Sequence, residues 1–141
     1  MELGIILVLF ILLVIIAQIF CSSERDNYES SNARDFIVFN QTNFNLTTTK
    51  LDGEFESPVP RPHTIYPGHG YSFTVVTKYL QHSNASAYYN IISLPDVLIV
   101  GAIHITFKEY TDPVGRSNPS TSVNFYGPIN PENGDTWVTI R

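Results

Sequence analysis

Val97-Leu-Ile-Val-Gly-Ala-Ile-His-Ile-Thr-Phe-Lys-Glu-Tyr110 is the stretch on which the fold turns. Ile99, Gly101, Ile103, Ile105 and Phe107 alternate with Val100, Ala102, His104, Thr106 and Lys108, a period of two that sends one set to each side of a β-strand. The first set is apolar throughout. The second starts apolar and turns polar, as expected of a central core strand that leaves the core on its way to a rim. Tyr71–Leu80 repeats the pattern, with Tyr71, Phe73, Val75, Thr77 and Tyr79 opposing Ser72, Thr74, Val76, Lys78 and Leu80.

Working outward, β-branched and aromatic runs recur at intervals of roughly ten residues, the spacing of sandwiches and barrels. Strands are expected near Phe36–Asn40, Phe44–Thr49, Gly53–Glu56, Tyr71–Leu80, Tyr88–Ser93, Val97–Tyr110, Ser122–Tyr126 and Thr136–Ile140. Pro58, Pro60, Pro62, Pro67, Pro95, Pro113, Pro119, Pro128 and Pro131 all fall between them, where a residue without an N–H does least harm. The fold class is therefore all-β: a single β-sandwich over residues 35–141, preceded by one apolar helix.

That helix is read from Leu3–Phe20, apolar except for Gln18. About 18 residues at roughly 1.5 Å each nearly match a bilayer core. Residues 1–21 are thus expected to be a transmembrane anchor or a cleaved signal peptide. Cys21 and Ser23 could serve as the −3 and −1 positions of a cleavage site, but Met1-Glu2 carries no basic residue and the apolar run exceeds a signal core, which favours a retained anchor. Cys21 is read as the last small residue of that segment rather than as a palmitoylation site. Ser22–Arg34 is polar and reads as a tether. Arg25 and Arg34 lean towards a cytoplasmic domain. The sequons Asn40-Gln-Thr42, Asn45-Leu-Thr47 and Asn84-Ala-Ser86 lean the other way and make Asn40, Asn45 and Asn84 glycosylation candidates. The resulting expectation is a single-pass membrane protein with an extracytoplasmic C-terminal domain.

Composition narrows the function. Of 141 residues only 15% are charged, with net charge −5, so nothing resembles a nucleic-acid footprint. One cysteine excludes a disulfide framework. His63, His69, His82 and His104 lack the tight spacing of a zinc pair, and Asp52, Glu54 and Glu56 alternate as the solvent face of an edge strand would. No Gly-x-Ser-x-Gly elbow, phosphate loop or cysteine nucleophile of the domain points to catalysis, and no metal or cofactor is expected. The rings of Tyr88, Tyr89, Phe55, Tyr126 and Trp137 are the candidate binding residues, because amphipathic aromatics suit membrane interfaces and protein hot spots alike. Tyr88 and Tyr89, as strand neighbours, must face opposite sides. Trp137, between Thr136 and Val138, is expected in the core.

The order of signals also resembles a known family. Leu46 and Leu51-Asp52-Gly53-Glu54-Phe55, then Pro58 and Pro60, then Ile65-Tyr66-Pro67-Gly68 with Ser72-Phe73, then Gly101-Ala102-Ile103-His104-Ile105 with Tyr110, then Val123-Asn124-Phe125-Tyr126, Pro131 and Gly134, is similar to the aegerolysins and related small bacterial crystal proteins. The resemblance covers roughly Phe36 to Arg141. It implies an actinoporin-like sandwich that recognises membrane lipids, often sphingolipid- or sterol-containing, and recruits a separate pore-forming partner. It puts Phe55 at a common aromatic position and Tyr126 near a family tryptophan. Gly127 departs from the family's aromatic pair, Gln81–Asp96 reads as an insertion, and the N-terminal helix is foreign to the family.

Two functions follow as expectations. One is a non-enzymatic, membrane-anchored module that binds membrane lipid or a protein partner at a membrane surface. The other is a structural membrane protein of a virus particle or larger assembly, docking a shell or neighbouring subunit to a bilayer.

Overall fold

The computed structural model describes the backbone of residues 2–29 and 33–141, and the side chains of residues 2–16 and 33–141. It divides into an N-terminal helical unit and a sandwich unit, Ala33–Arg141.

The first unit is one helix, α1 (Glu2–Glu29). Its backbone continues well into the segment expected to be a tether. The single-pass membrane assignment is overturned: among the described residues, no helix is long and apolar enough to cross a membrane. Cys21 and residues 30–32 of the expected tether lie outside the described side chains.

The second unit has nine strands: β1 (Ala33–Asn40), β2 (Asn45–Gly53), β3 (Thr64–Ile65), β4 (Gly70–Val76), β5 (His82–Ser93), β6 (Leu98–Tyr110), β7 (Ser120–Tyr126), β8 (Pro131–Asn133) and β9 (Trp137–Ile140). They form two sheets, ordered β4-β1-β9-β8 and β3-β2-β5-β6-β7. The pairings are antiparallel except for β1 with β9. One layer of the core comes from Phe36, Val38, Phe73, Val75, Val138 and Ile140 of the smaller sheet, and the other from Leu46, Ile65, Ala85, Ala87, Tyr89, Ile91, Ile103, Ile105 and Phe107. Phe107 meets Phe36 and Phe73 at ring separations of 5.1 and 5.0 Å, where the two layers touch. All of these residues lie within Ala33–Arg141, so the unit carries a complete core of its own.

Several boundaries differ from the pattern-based expectation, each for a local reason. β5 starts at His82, because Ser83, Ala85 and Ala87 face inward and their small size hides the alternation. The expected strand at Gly53–Glu56 is instead a crossing between the sheets. Gly53 ends β2 at φ 111°, Phe55 bridges to Val75, and Val76 N–H donates to Glu54 O at 3.0 Å. A side chain on Gly53 would lie 2.5 Å from Ala85 Cα, so only glycine fits that turn.

Two buried polar clusters pin the ends of the sandwich. Asn40 donates from Nδ2 to the carbonyls of Phe44 (2.7 Å) and Ile65 (2.9 Å), while its Oδ1 accepts from Thr42 N–H and Thr42 Oγ1. This satisfies the whole amide. At the other end of β1 the side chain of Glu109 is fully buried, accepts from Ser117 Oγ, and lies 3.5 Å from Arg34 Nε.

Candidate functional site

The outer face of the five-stranded sheet holds a concave site lined by aromatic rings. Register puts Lys50 of β2, Tyr88 of β5, His104 of β6 and Asn124 of β7 in one row across four strands. All are even-numbered and lie opposite the inward set Ala87, Tyr89, Ile103 and Ile105, so the pleat alone turns them outward. The Tyr88 and His104 rings stack with centroids 4.1 Å apart and planes 9° from parallel. Lys50 Nζ sits 5.7 Å from the Tyr88 centroid, within cation–π range.

The next row begins the hollow. Ala102 of β6 is paired with Tyr126 of β7. Because Ala102 carries only a methyl, the space above it is not filled by its own strand, leaving a hollow of about 310 Å³ bordered by Thr49, Tyr88, His104, Asn124 and Tyr126. Tyr126 is 66% exposed, and its neighbour Phe125 is 47% exposed at the sheet edge. The site thus offers ring faces, one amide and hydroxyls on backbone fixed by strand pairing. Its means of recognition are stacking and neutral hydrogen bonds, with one cation at its margin.

Directly beneath, on the inner side of β5, the Tyr89 ring is buried and its hydroxyl lies 2.8 Å from His63 Nε2. His63 Nδ1 lies 2.7 Å from Arg61 O, a carbonyl that only accepts. Nδ1 therefore carries the proton, and Nε2 accepts from the Tyr89 hydroxyl. The imidazole also stacks on Tyr71 at 3.5 Å. Burial holds the His63 pKa below its ordinary value. Burial, reinforced by Tyr71, pushes the Tyr89 phenol well above its own. Both groups are held neutral, and the pair packs against the core.

Of the residues singled out from sequence, Tyr88 and Tyr126 meet in the hollow. Tyr89 borders it only from below, with its ring turned into the core. Phe55 lies elsewhere, half-buried with its ring 5.7 Å from Phe73. Trp137, expected in the core, is 40% exposed. It lies on the outer face of the other sheet beside Ile37, over Gly134, where an added Cβ would come within 2.5 Å of its ring atom Cε2. Lys50, Ala102, His104 and Asn124 went unrecognised as site residues, although the alternation around Ile103 already put Ala102 and His104 on the face away from the core. Asn40 is buried in the folded unit, and its amide nitrogen donates two hydrogen bonds. Asn45 is half-buried with its Oδ1 enclosed, whereas Asn84 is exposed on the outer face of β5. No protein-family model matches the chain, no curated protein is detectably similar to it in sequence, and no solved structure matches its fold.

Proposed function

We propose that the sandwich unit is a non-enzymatic binding module that receives a ring-sized apolar group of a partner protein in the hollow above Ala102. The observation that carries this reading is the upright Tyr88–His104 stack facing Tyr126 across a floor one methyl deep. Rings held on paired strands lose little freedom when they dock, and a central aromatic pocket is where interface energy concentrates. A lipid ligand is the second reading, favoured by the aegerolysin-like order of Leu51–Phe55, Gly101–Ile105 and Val123–Tyr126 and served by the same rings.

Amide chemical shifts of Ala33–Arg141 test both. Indole and p-cresol, the ring groups of Trp and Tyr, should shift Tyr88, Ala102, His104, Asn124 and Tyr126, and Ala102→Leu should abolish the effect by filling the floor. Shifts that are absent, or scattered over both sheets, would refute the hollow as a binding site. Flotation with sphingomyelin–cholesterol vesicles that is lost in Tyr88→Ala and Tyr126→Ala would select the lipid reading over the protein one.

A further inference from the structure

We infer that the free edge of β7 pairs with β7 of a second copy of this chain, in an antiparallel register centred on Asn124. The four sheet edges are not alike. β3 is two residues long and lies between Pro62 and Pro67, and β8 is three residues long and begins with Pro131. The edge of β4 is occupied by the crossing segment, through Val76 N–H to Glu54 O at 3.0 Å and Glu56 N–H to Thr74 O at 2.8 Å. β7 has none of these protections. Ser120-Thr-Ser-Val-Asn-Phe-Tyr126 contains no charge and no proline, and its pairing with β6 runs without a bulge, the devices that normally keep an edge from recruiting another strand.

The direction of its backbone groups follows from two hydrogen bonds. Asn118 N–H donates to Tyr110 O, so the even-numbered residues of β6 turn their backbone groups towards β7 and pair with the even-numbered residues of β7. The odd-numbered residues of β7 therefore point away from the sheet. Consistent with this, Asn133 Nδ2 reaches Thr121 O from outside at 2.9 Å and caps that end of the edge. The N–H and C=O groups of Val123 and Phe125 are left, and among the described residues no backbone group pairs with them. Alternating donors and acceptors at this spacing match an extended backbone and little else.

A second copy fits this edge with its own counterpart. With Asn124 opposite Asn124 of the other copy, Val123 faces Phe125 in both directions, so the four open backbone groups of Val123 and Phe125 in each strand are used while the Thr121 carbonyl keeps its Asn133 cap. On the outer face the central pair is two amides, each able to donate and to accept, and no like charges are opposed. On the inner side the half-exposed Phe125 ring gains the Val123 side chain of the other copy. A contact of one short strand pair is well below the roughly 800 Å² per partner of stable dimers, so the association is concentration-dependent, with half-conversion at about 0.1–1 mM.

Sedimentation velocity of Ala33–Arg141 between about 10 µM and 1 mM should show the mass rising from one copy towards two. Amide exchange at Val123 and Phe125 should slow by several-fold over the same range. Asn124→Lys, which sets two ammonium groups face to face only in the pair, should keep the unit at one copy throughout without lowering its melting temperature. A wild-type unit that stays at one copy to 1 mM would overturn the proposal and leave the edge to an extended segment of some other protein. So would a dimer that Asn124→Lys leaves intact. Because the readout is mass, it is independent of whether indole or vesicles bind the hollow.

Discussion

β5 and β6 carry two populations of side chains one residue apart, and the two differ in almost every physical respect. On the inner face Tyr89, Ile91, Ile103, Ile105 and Phe107 are buried to within 2% of complete enclosure, and their one polar contact, Tyr89 with His63, is a neutral pair. On the outer face Tyr88 and His104, both half-buried, stack face to face beside a hollow that nothing in their own strands fills. Stacking on the inner face is a component of the core. On the outer face it organises a surface at little cost to the fold, because rings there displace no core packing.

Substitutions can break that contrast, and the largest effect belongs to the inner face. Ile103→Asp buries an unpaired carboxylate on the central strand and should cost about 4 kcal/mol or more, enough to abolish the folded baseline in a denaturant titration. A midpoint close to that of the parent would mean that the inner face tolerates charge. Arg34→Ala removes the cation facing the fully buried Glu109 carboxylate. With Arg34 itself partly solvated, a loss of about 2–3 kcal/mol is expected by chemical denaturation. Tyr89→Phe deletes the donor to His63 while keeping the ring, and should cost about 1 kcal/mol.

The same pair makes stability depend on pH. His63 has a depressed pKa in the folded state, so the unfolded chain takes up a proton first, near pH 6.5. The stability it confers is complete above that pH and declines as pH falls towards the folded value. Protonation would give Nε2 a hydrogen directed at the Tyr89 hydroxyl, whose own proton would lose its acceptor. His63→Phe, which preserves the stack on Tyr71, should flatten the melting temperature between pH 6.5 and 5. An unchanged slope would assign that acid sensitivity to other groups. The smallest effect closes the contrast: Ala102→Leu on the outer face should move stability by no more than about 0.5 kcal/mol while removing the indole response.

What could be read from the sequence follows the size of the side chains. The alternation from Ile99 to Phe107 is carried by large groups, and it specified the sandwich, the central strand and the outward turn of His104. In β5 the same alternation is written as Ser83, Ala85 and Ala87, residues too small and too ordinary to register, so the expected strand began only at Tyr88. Trp137 misled for the opposite reason. A large ring in a strand is usually core, but Gly134 supplies a seat that leaves it on the surface. The hollow could not be read at all, because it depends on register: Ala102 is a floor only when Tyr88, His104 and Tyr126 stand around it.

The parallel pairing of β1 with β9 matches Ile37 with Trp137 and Asn40 with Ile140, so the first strand of the unit lies beside the last, in the middle of the smaller sheet. The five-stranded sheet can assemble from neighbours in the chain, by successive hairpins of β5, β6 and β7. The four-stranded sheet cannot close until β9 has been made, since its interior seam joins the first and last strands of the unit. Such long-range closure is slow. During synthesis β1 and β4 therefore wait with a bare edge until Val138 and Ile140 leave the ribosome, and deletion of Trp137–Ile140 removes an inner strand of the smaller sheet and not a fringe.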